Sequence, residues 1–206
     1  MATAVPPPSS NIGEWEDGTV PVTPSDLPVF TIGHSMRLID AFVDLLRRGG
    51  VEHVIDIRTT PRSRTNPQFN PSALAAALSG YQIVHSQLLE LGGRRPKSKT
   101  VPDAVNAYWQ NQSFHNYADH ALGAEYRRGF DTLMRVSVQR RCAIMCAEAV
   151  WWRCHRRIVA DYLLASGREV FHLMGDDRIE AAKITPSAVA RADGLTYPAS
   201  SSDVRA

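Results

Sequence analysis

Three short stretches of this sequence combine nucleophiles, carboxylates and cations: Gly33-His34-Ser35, Asp56-Ile57-Arg58, and Cys146-x-Glu148 followed by Cys154-His155-Arg156. Cys146 ends an apolar run, and a turn and a helix are expected after it. A thiol near a helix N-terminus with arginines close by has a lowered pKa, which is the physical recipe for a nucleophile. The same cysteine also suits two other roles, a metal ligand or a small buried apolar residue. Glu148 or Asp56 can act as general base and His34 or His155 as acid. Ser35, Arg58, Arg62, Cys154 and Arg156 then bind an anionic substrate. The structural alternative pairs Glu148 or Asp56 with Arg58 or Arg156, a buried carboxylate–guanidinium contact that holds loops in register.

Spacing excludes some chemistry. A phosphatase-type loop needs Cys-x5-Arg, whereas Cys146 to Arg153 is Cys-x6-Arg with Glu148 inside the anion cradle. Cys142 and Cys146 lie four apart in a strand, about 13 Å at 3.3 Å per residue, and cannot share one zinc. There is no CxxC pair. A ligand set of Cys146, Glu148, Cys154 and His155, with or without His34, remains possible, but no metal residue is assigned. Neither GxGxxG nor GxxxxGK[ST] occurs, so a nucleotide cofactor bound in the usual way is not expected.

The elements that must carry these residues alternate. Val29–Ile32 predicts a strand. Ser35 is expected to cap a helix with Leu38, Phe42, Leu45 and Leu46 on one stripe, ended by Gly49. Val51–Ile57 is a second strand. A polar loop from Arg58 to Phe69 leads to a helix opened by Asn70-Pro71 and closed by Gly80. Tyr81–His85 is a third strand, and Leu91–Asp103 is loop. Short helices are expected over Ala104–His120, and a longer one over Ala124–Gln139. Arg141–Cys146 is a fourth strand, Trp152–Ser166 a helix and Glu169–Leu173 a fifth strand. This pattern implies a single α/β domain over residues 28–193, with a mostly parallel sheet of about five strands and helices on both faces. Residues 1–27 and 194–206 read as tails rich in small and polar residues.

In parallel sheets ligands bind outside the carboxyl ends of the strands. Here those ends carry Gly33-His34-Ser35, Asp56-Arg58, His85, Cys146-Glu148 and His172. Two basic loops, Arg58–Arg64 and Arg94–Lys99, mix cations with hydroxyl and amide donors in a phosphate-binding manner. Tyr108, Trp109, Phe114, Trp151 and Trp152 can stack on bases or fill the core.

The chain has 206 residues, 44% of them hydrophobic, and a net charge of +2. That suits one domain and gives no global polarity towards nucleic acid. Three cysteines make a poor disulfide framework. No apolar run reaches membrane-span length, and no secretory signal opens the sequence, so a reducing cytoplasm is the expected compartment.

TIGHS at Thr31–Ser35, DIRTTPRS at Asp56–Ser63, LLELGG at Leu88–Gly93 and CAEAVWWRCHRRIVADYL at Cys146–Leu163 resemble the domain-of-unknown-function 488 family. The resemblance spans about residues 29 to 175, and Cys-x-Glu-x5-Cys-His-Arg is its most specific element. It marks Gly33, His34, Ser35, Asp56, Arg58, Pro61, Gly92, Gly93, Cys146, Glu148, Cys154, His155 and Arg156 as signature positions. Trp151-Trp152 departs from a more polar turn in the family. The family implies no reaction. The residues themselves predict an enzyme acting on a phosphate-bearing substrate, a nucleotide or nucleic acid, at a basic strand-end cleft. The alternative is a non-catalytic nucleic-acid or anion-binding module.

Overall fold

A computed structural model describes residues 27–175 and 178–199. Most of the expected N-terminal tail, and the end of the C-terminal one, lie outside the described residues. Five parallel strands form the central sheet: β1 (Val29–Gly33), β2 (His53–Asp56), β3 (Val84–Gln87), β4 (Cys142–Cys146) and β5 (Val170–Leu173). A sixth strand, β6 (Ile179–Ala181), adds antiparallel at the edge, giving the order β3-β2-β4-β1-β5-β6. β7 (Val189–Arg191) and β8 (Gly194–Thr196) form a separate hairpin.

The period-2 alternation of each strand divides the core in two. Cys142, Ile144 and Cys146 of β4 face one layer; Ala143 and Met145 face the other. The first layer is covered by α3 (Gln112–Ala121), α4 (Ala124–Ser137) and α5 (Arg156–Ala165), through Tyr117, Tyr126, Leu133 and Ile158. The second is covered by α1 (Ile39–Arg48) and α2 (Pro71–Ser79), through Phe42, Leu46, Leu74 and Leu78. Helices thus cover both faces, as the alternation predicts.

Several local expectations are corrected. Ser35 does not cap α1. It adopts φ 49° in a turn, and its N–H donates to Ala147 O, so the chain keeps pairing with the segment after β4 before it turns. The N-cap position is Leu38, whose side chain is 76% exposed rather than on the buried stripe. Asn70 does precede α2, but its Oδ1 accepts from Ser63 N at 2.7 Å and so ties down the preceding loop. β3 starts later than Tyr81 because Gln82, at φ 60°, is still in the turn. The helix expected from Trp152 is split: a 3-10 turn at Trp151–Arg153, extended backbone at Cys154, then α5. The chain also stays ordered past Gly194. Leu195 and Tyr197 are buried in the first core layer, and Tyr197 Oη donates to Asp161 Oδ2 at 3.1 Å.

Candidate functional site

The strand order reverses direction between β1 and β4. α1 leaves β1 over one face and α5 follows β4 over the other, which opens a crevice at the carboxyl ends of these strands. On the α5 side lies an open cleft of about 550 Å³. Its floor is Cys146, Ala147, Cys154 and His155, and Glu148 and Arg153 stand on one side. Arg58, Thr59 and Thr60 follow β2, Gly93–Pro96 come from the basic loop, and Ser113 and Phe114 from α3. The structure therefore brings together Cys146, Glu148, Cys154, His155 and Arg58. It does not bring in His34, Ser35, Asp56, Arg62 or Arg156 as lining residues.

Asp56 and Arg58 form the expected buried pair. Arg58 Nε and Nη2 donate to the two carboxylate oxygens at 2.8 and 2.7 Å, and its backbone N–H donates to Oδ1 at 3.0 Å. Burial would raise the Asp56 pKa, but the hydrogen bonds and charge of Arg58, with His85 Nε2 nearby at 3.9 Å, outweigh it, and the carboxyl lies below its ordinary value. Arg58 also donates to Phe69 O at 2.7 Å. Its Nη1 reaches His34 Nε2 at 3.0 Å. His34 Nδ1–H donates to Ser35 O at 2.8 Å, which leaves Nε2 as the acceptor for Arg58. The ring stacks on Phe69 with centroids 4.3 Å apart. Burial and the Arg58 charge bring the His34 pKa to about 4, so both nitrogens are committed and the ring is neutral at physiological pH.

Arg156 is also not placed to meet a ligand. It is 1% exposed, and its Nη1 donates to Cys146 Sγ at 2.6 Å and to Glu148 O at 2.7 Å. Nη2 donates to Ala149 O at 3.1 Å. The guanidinium thus folds the Cys146–Ala149 turn around itself. Gly33 is required beneath that turn, since a Cβ there would sit 1.7 Å from Glu148 O. Glu148 offers its backbone to Arg156, while its exposed carboxylate makes no ion pair among the described residues.

The thiol at a helix N-terminus is Cys154, not Cys146. Cys146 is followed by the turn held by Arg156, and α5 begins only after Cys154. Cys154 Sγ accepts from Arg156 N at 3.5 Å, in the positive field of the α5 N-terminus. Burial alone would raise its pKa, but the Cys146 hydrogen bond, the Arg156 charge and the Arg156 amide bring it to about 7. Cys146 meets the Arg156 guanidinium, yet burial first and the neighbouring Cys154 second push its thiol well above the ordinary value. The two thiols thus shift in opposite directions, Cys154 down and Cys146 up, and of the two it is Cys154 that stands at the α5 N-terminus.

His155 completes the arrangement. Its Nε2 lies 3.1 Å from Ile57 O, a pure acceptor, so Nε2 carries the hydrogen and Nδ1 is left as an acceptor. Nδ1 is 3.5 Å from Cys154 Sγ. Burial lowers the ring's pKa, so it is a neutral base. Tyr117 packs edge-on against it at 4.9 Å. Gly93 lets the ring lie there, because a Cβ would fall 2.3 Å from Nδ1. The Cys154–His155–Ile57 relation is the one feature that residue types alone did not suggest. Its signal was the adjacency of Cys and His just before a helix.

The basic loops contribute unequally. Arg94 and Arg153 are exposed at the cleft. Arg95 is spent on Glu125 at 2.9 Å and on three backbone carbonyls. Arg62 is exposed on its loop away from the cleft. Of the aromatics, Trp109 is core and stacks on Phe114, while Trp151 stacks on His172. Phe114 alone of these lines the cleft. Among the described residues no three His, Cys, Asp or Glu side chains converge as a metal set, and no helix is long and apolar enough to cross a membrane.

Comparison with known proteins bears on these residues only through the family. No curated protein and no solved structure gives a significant match. The family model described as domain of unknown function DUF488 matches residues 38–163, which takes in Asp56-Arg58, Gly92-Gly93 and the whole Cys146–Arg156 segment but stops short of Gly33-His34-Ser35. With well over half of its length matched, the chain belongs to the DUF488 family.

Proposed function

We propose that this protein is an enzyme that binds a phosphate-bearing substrate, a nucleotide or nucleic acid, in the strand-end cleft and attacks it with the Cys154 thiolate. The observation that carries this reading is the Cys154 thiol at the α5 N-terminus, 3.5 Å from the free nitrogen of His155 and on the floor of a cleft with two exposed arginines. In this reading His155 accepts the thiol proton, oriented by Ile57 O. Arg94 and Arg153 meet the anion, and Thr59, Thr60 and Ser113 offer neutral donors around it. Glu148 stands at the rim as a proton carrier for the leaving group. Asp56, His34 and Arg58 hold the β2 side of the cleft in place rather than react.

The binding-module reading draws on Arg94 and Arg153, exposed at the cleft, and on the exposed Trp152 next to Arg153 in sequence. One experiment separates the two. Purified protein is incubated with a panel of nucleotides and oligonucleotides, and binding and product formation are both followed. The enzyme reading predicts turnover that Cys154→Ser abolishes without loss of binding, and binding that Arg94→Ala with Arg153→Ala weakens. Salt-sensitive binding with no product, and no effect of Cys154→Ser, supports the module instead.

A further inference from the structure

Two thiols that meet over one buried cation can exchange electrons as well as share a proton. Cys146 and Cys154 both line the same cleft, and both are hydrogen-bonded by Arg156. Arg156 contacts both, through Nη1 to Cys146 at 2.6 Å and through its backbone amide to Cys154 at 3.5 Å. Its side chain is buried, its Nε has no partner, and no carboxylate among the described residues pairs with it. A buried guanidinium left without a carboxylate is costly unless another anion stands beside it, and a thiolate is the anion within reach. The third cysteine, Cys142, lies at the other end of β4, where burial pushes its thiol up to about 11.

We propose that Cys154 and Cys146 form a two-cysteine site that reduces a small hydroperoxide, with Cys154 attacking and Cys146 resolving. The Cys154 proton passes to His155 Nδ1. The thiolate attacks the distal oxygen of the peroxide, the S–O bond forms as the O–O bond breaks, and the departing alkoxide or hydroxide takes the proton from His155. Cys154 is then a sulfenic acid. Cys146 attacks its sulfur, the S–S bond forms, and the hydroxyl leaves with the Cys146 proton as water. Two thiols are oxidised, one peroxide is reduced, and an external dithiol restores the start. Arg156 favours the first step by stabilising the thiolate. The cleft admits the peroxide, and the turn that Arg156 holds keeps Cys146 against its partner. The proposal shares the Cys154 nucleophile with the reading above but does not use the anion-binding arginines.

The test treats the full-length reduced protein with hydrogen peroxide at equimolar amount, without any phosphate compound, and maps the products by peptide mass spectrometry. The expected result is the loss of two hydrogens from the intact chain and a Cys146–Cys154 cross-linked peptide, with Cys142 still alkylatable. Cys146→Ser should stop at a Cys154 sulfenic acid trapped by dimedone, and Cys154→Ser should consume no peroxide. Oxidation is read without any nucleotide and nucleotide turnover without any peroxide, so the two proposals fail separately. A disulfide through Cys142, a dimedone adduct on Cys146, or an unreacted wild-type chain would overturn the redox proposal.

Discussion

Arg156 Nη1 lies 2.6 Å from Cys146 Sγ, and this guanidinium, in a residue 1% exposed, has one thiol and two backbone carbonyls for company instead of a carboxylate, while the Arg156 backbone N–H donates to the second thiol, Cys154. Its charge needs a counter-charge, and the thiol pair supplies it. Arg156→Met keeps the volume and removes the cation. The Cys154 thiol should then titrate well above 7, read from thiolate absorbance against pH. The orphaned carbonyls of Glu148 and Ala149 should cost about 1–3 kcal/mol of stability in urea unfolding.

The Asp56–Arg58 pair makes a stability prediction that does not involve the thiols. Asp56→Ala leaves a buried guanidinium beside a neutral His34 and should destabilise the fold by about 3–5 kcal/mol. Asp56→Asn keeps one acceptor and should cost less. Denaturant midpoints measure both, and similar midpoints for the two variants would contradict the pairing.

Gly93→Ala tests the placement of His155. The new methyl would fall 2.3 Å from Nδ1 and must displace the ring. The Cys154 alkylation rate should drop several-fold while the fold survives, since the clash is with a side chain at the cleft edge. Gly33→Ala behaves differently. Its methyl meets the Glu148 carbonyl at 1.7 Å, a backbone atom that cannot swing away, and the whole domain should lose stability.

Five histidines whose folded pKa values burial lowers, His34, His53, His120, His155 and His172, set the acid response. Burial and the Arg58 charge bring His34 to about 4, and burial with the Arg156 charge brings His172 to about 3. Between those values and the unfolded value of about 6.5, the unfolded chain binds protons that the folded chain refuses. Stability is therefore full above about 6.5 and falls as pH drops from there towards 4. Asp56, whose folded pKa is depressed, extends the loss below about 4. Unfolding free energies measured from pH 8 to 4 should show this slope, and His172→Asn should flatten it.

Much of this architecture was legible in the sequence because it depends on period. Five apolar runs and their intervening stripes gave the parallel strands and the helices on both faces. The edge strand β6 and the hairpin β7–β8 escaped, being three residues each and partly exposed, too short for any alternation to declare itself. Gly194 read as the start of a tail because its surroundings are small and polar, yet Tyr197, three residues on, is wholly buried in the first core layer and bonded to Asp161. At the site, residue types marked Cys146, Glu148, Cys154, His155 and Arg58 as candidates, and the fold gathers them. Which cysteine is shifted down was not legible. It depends on extended backbone at Cys154 that splits the predicted helix, and on an arginine turned inward to the thiols.

In the proposed site Cys154 is the reactive thiol. The most direct measurement alkylates the reduced protein with limiting iodoacetamide across pH 5 to 9 and assigns each adduct by peptide mass spectrometry. Cys154 should be modified first, with a rate rising through a midpoint near 7. Cys146 and Cys142 should react only after unfolding. Modification of Cys146 ahead of Cys154, or a Cys154 midpoint at or above that of an ordinary thiol, would contradict this assignment.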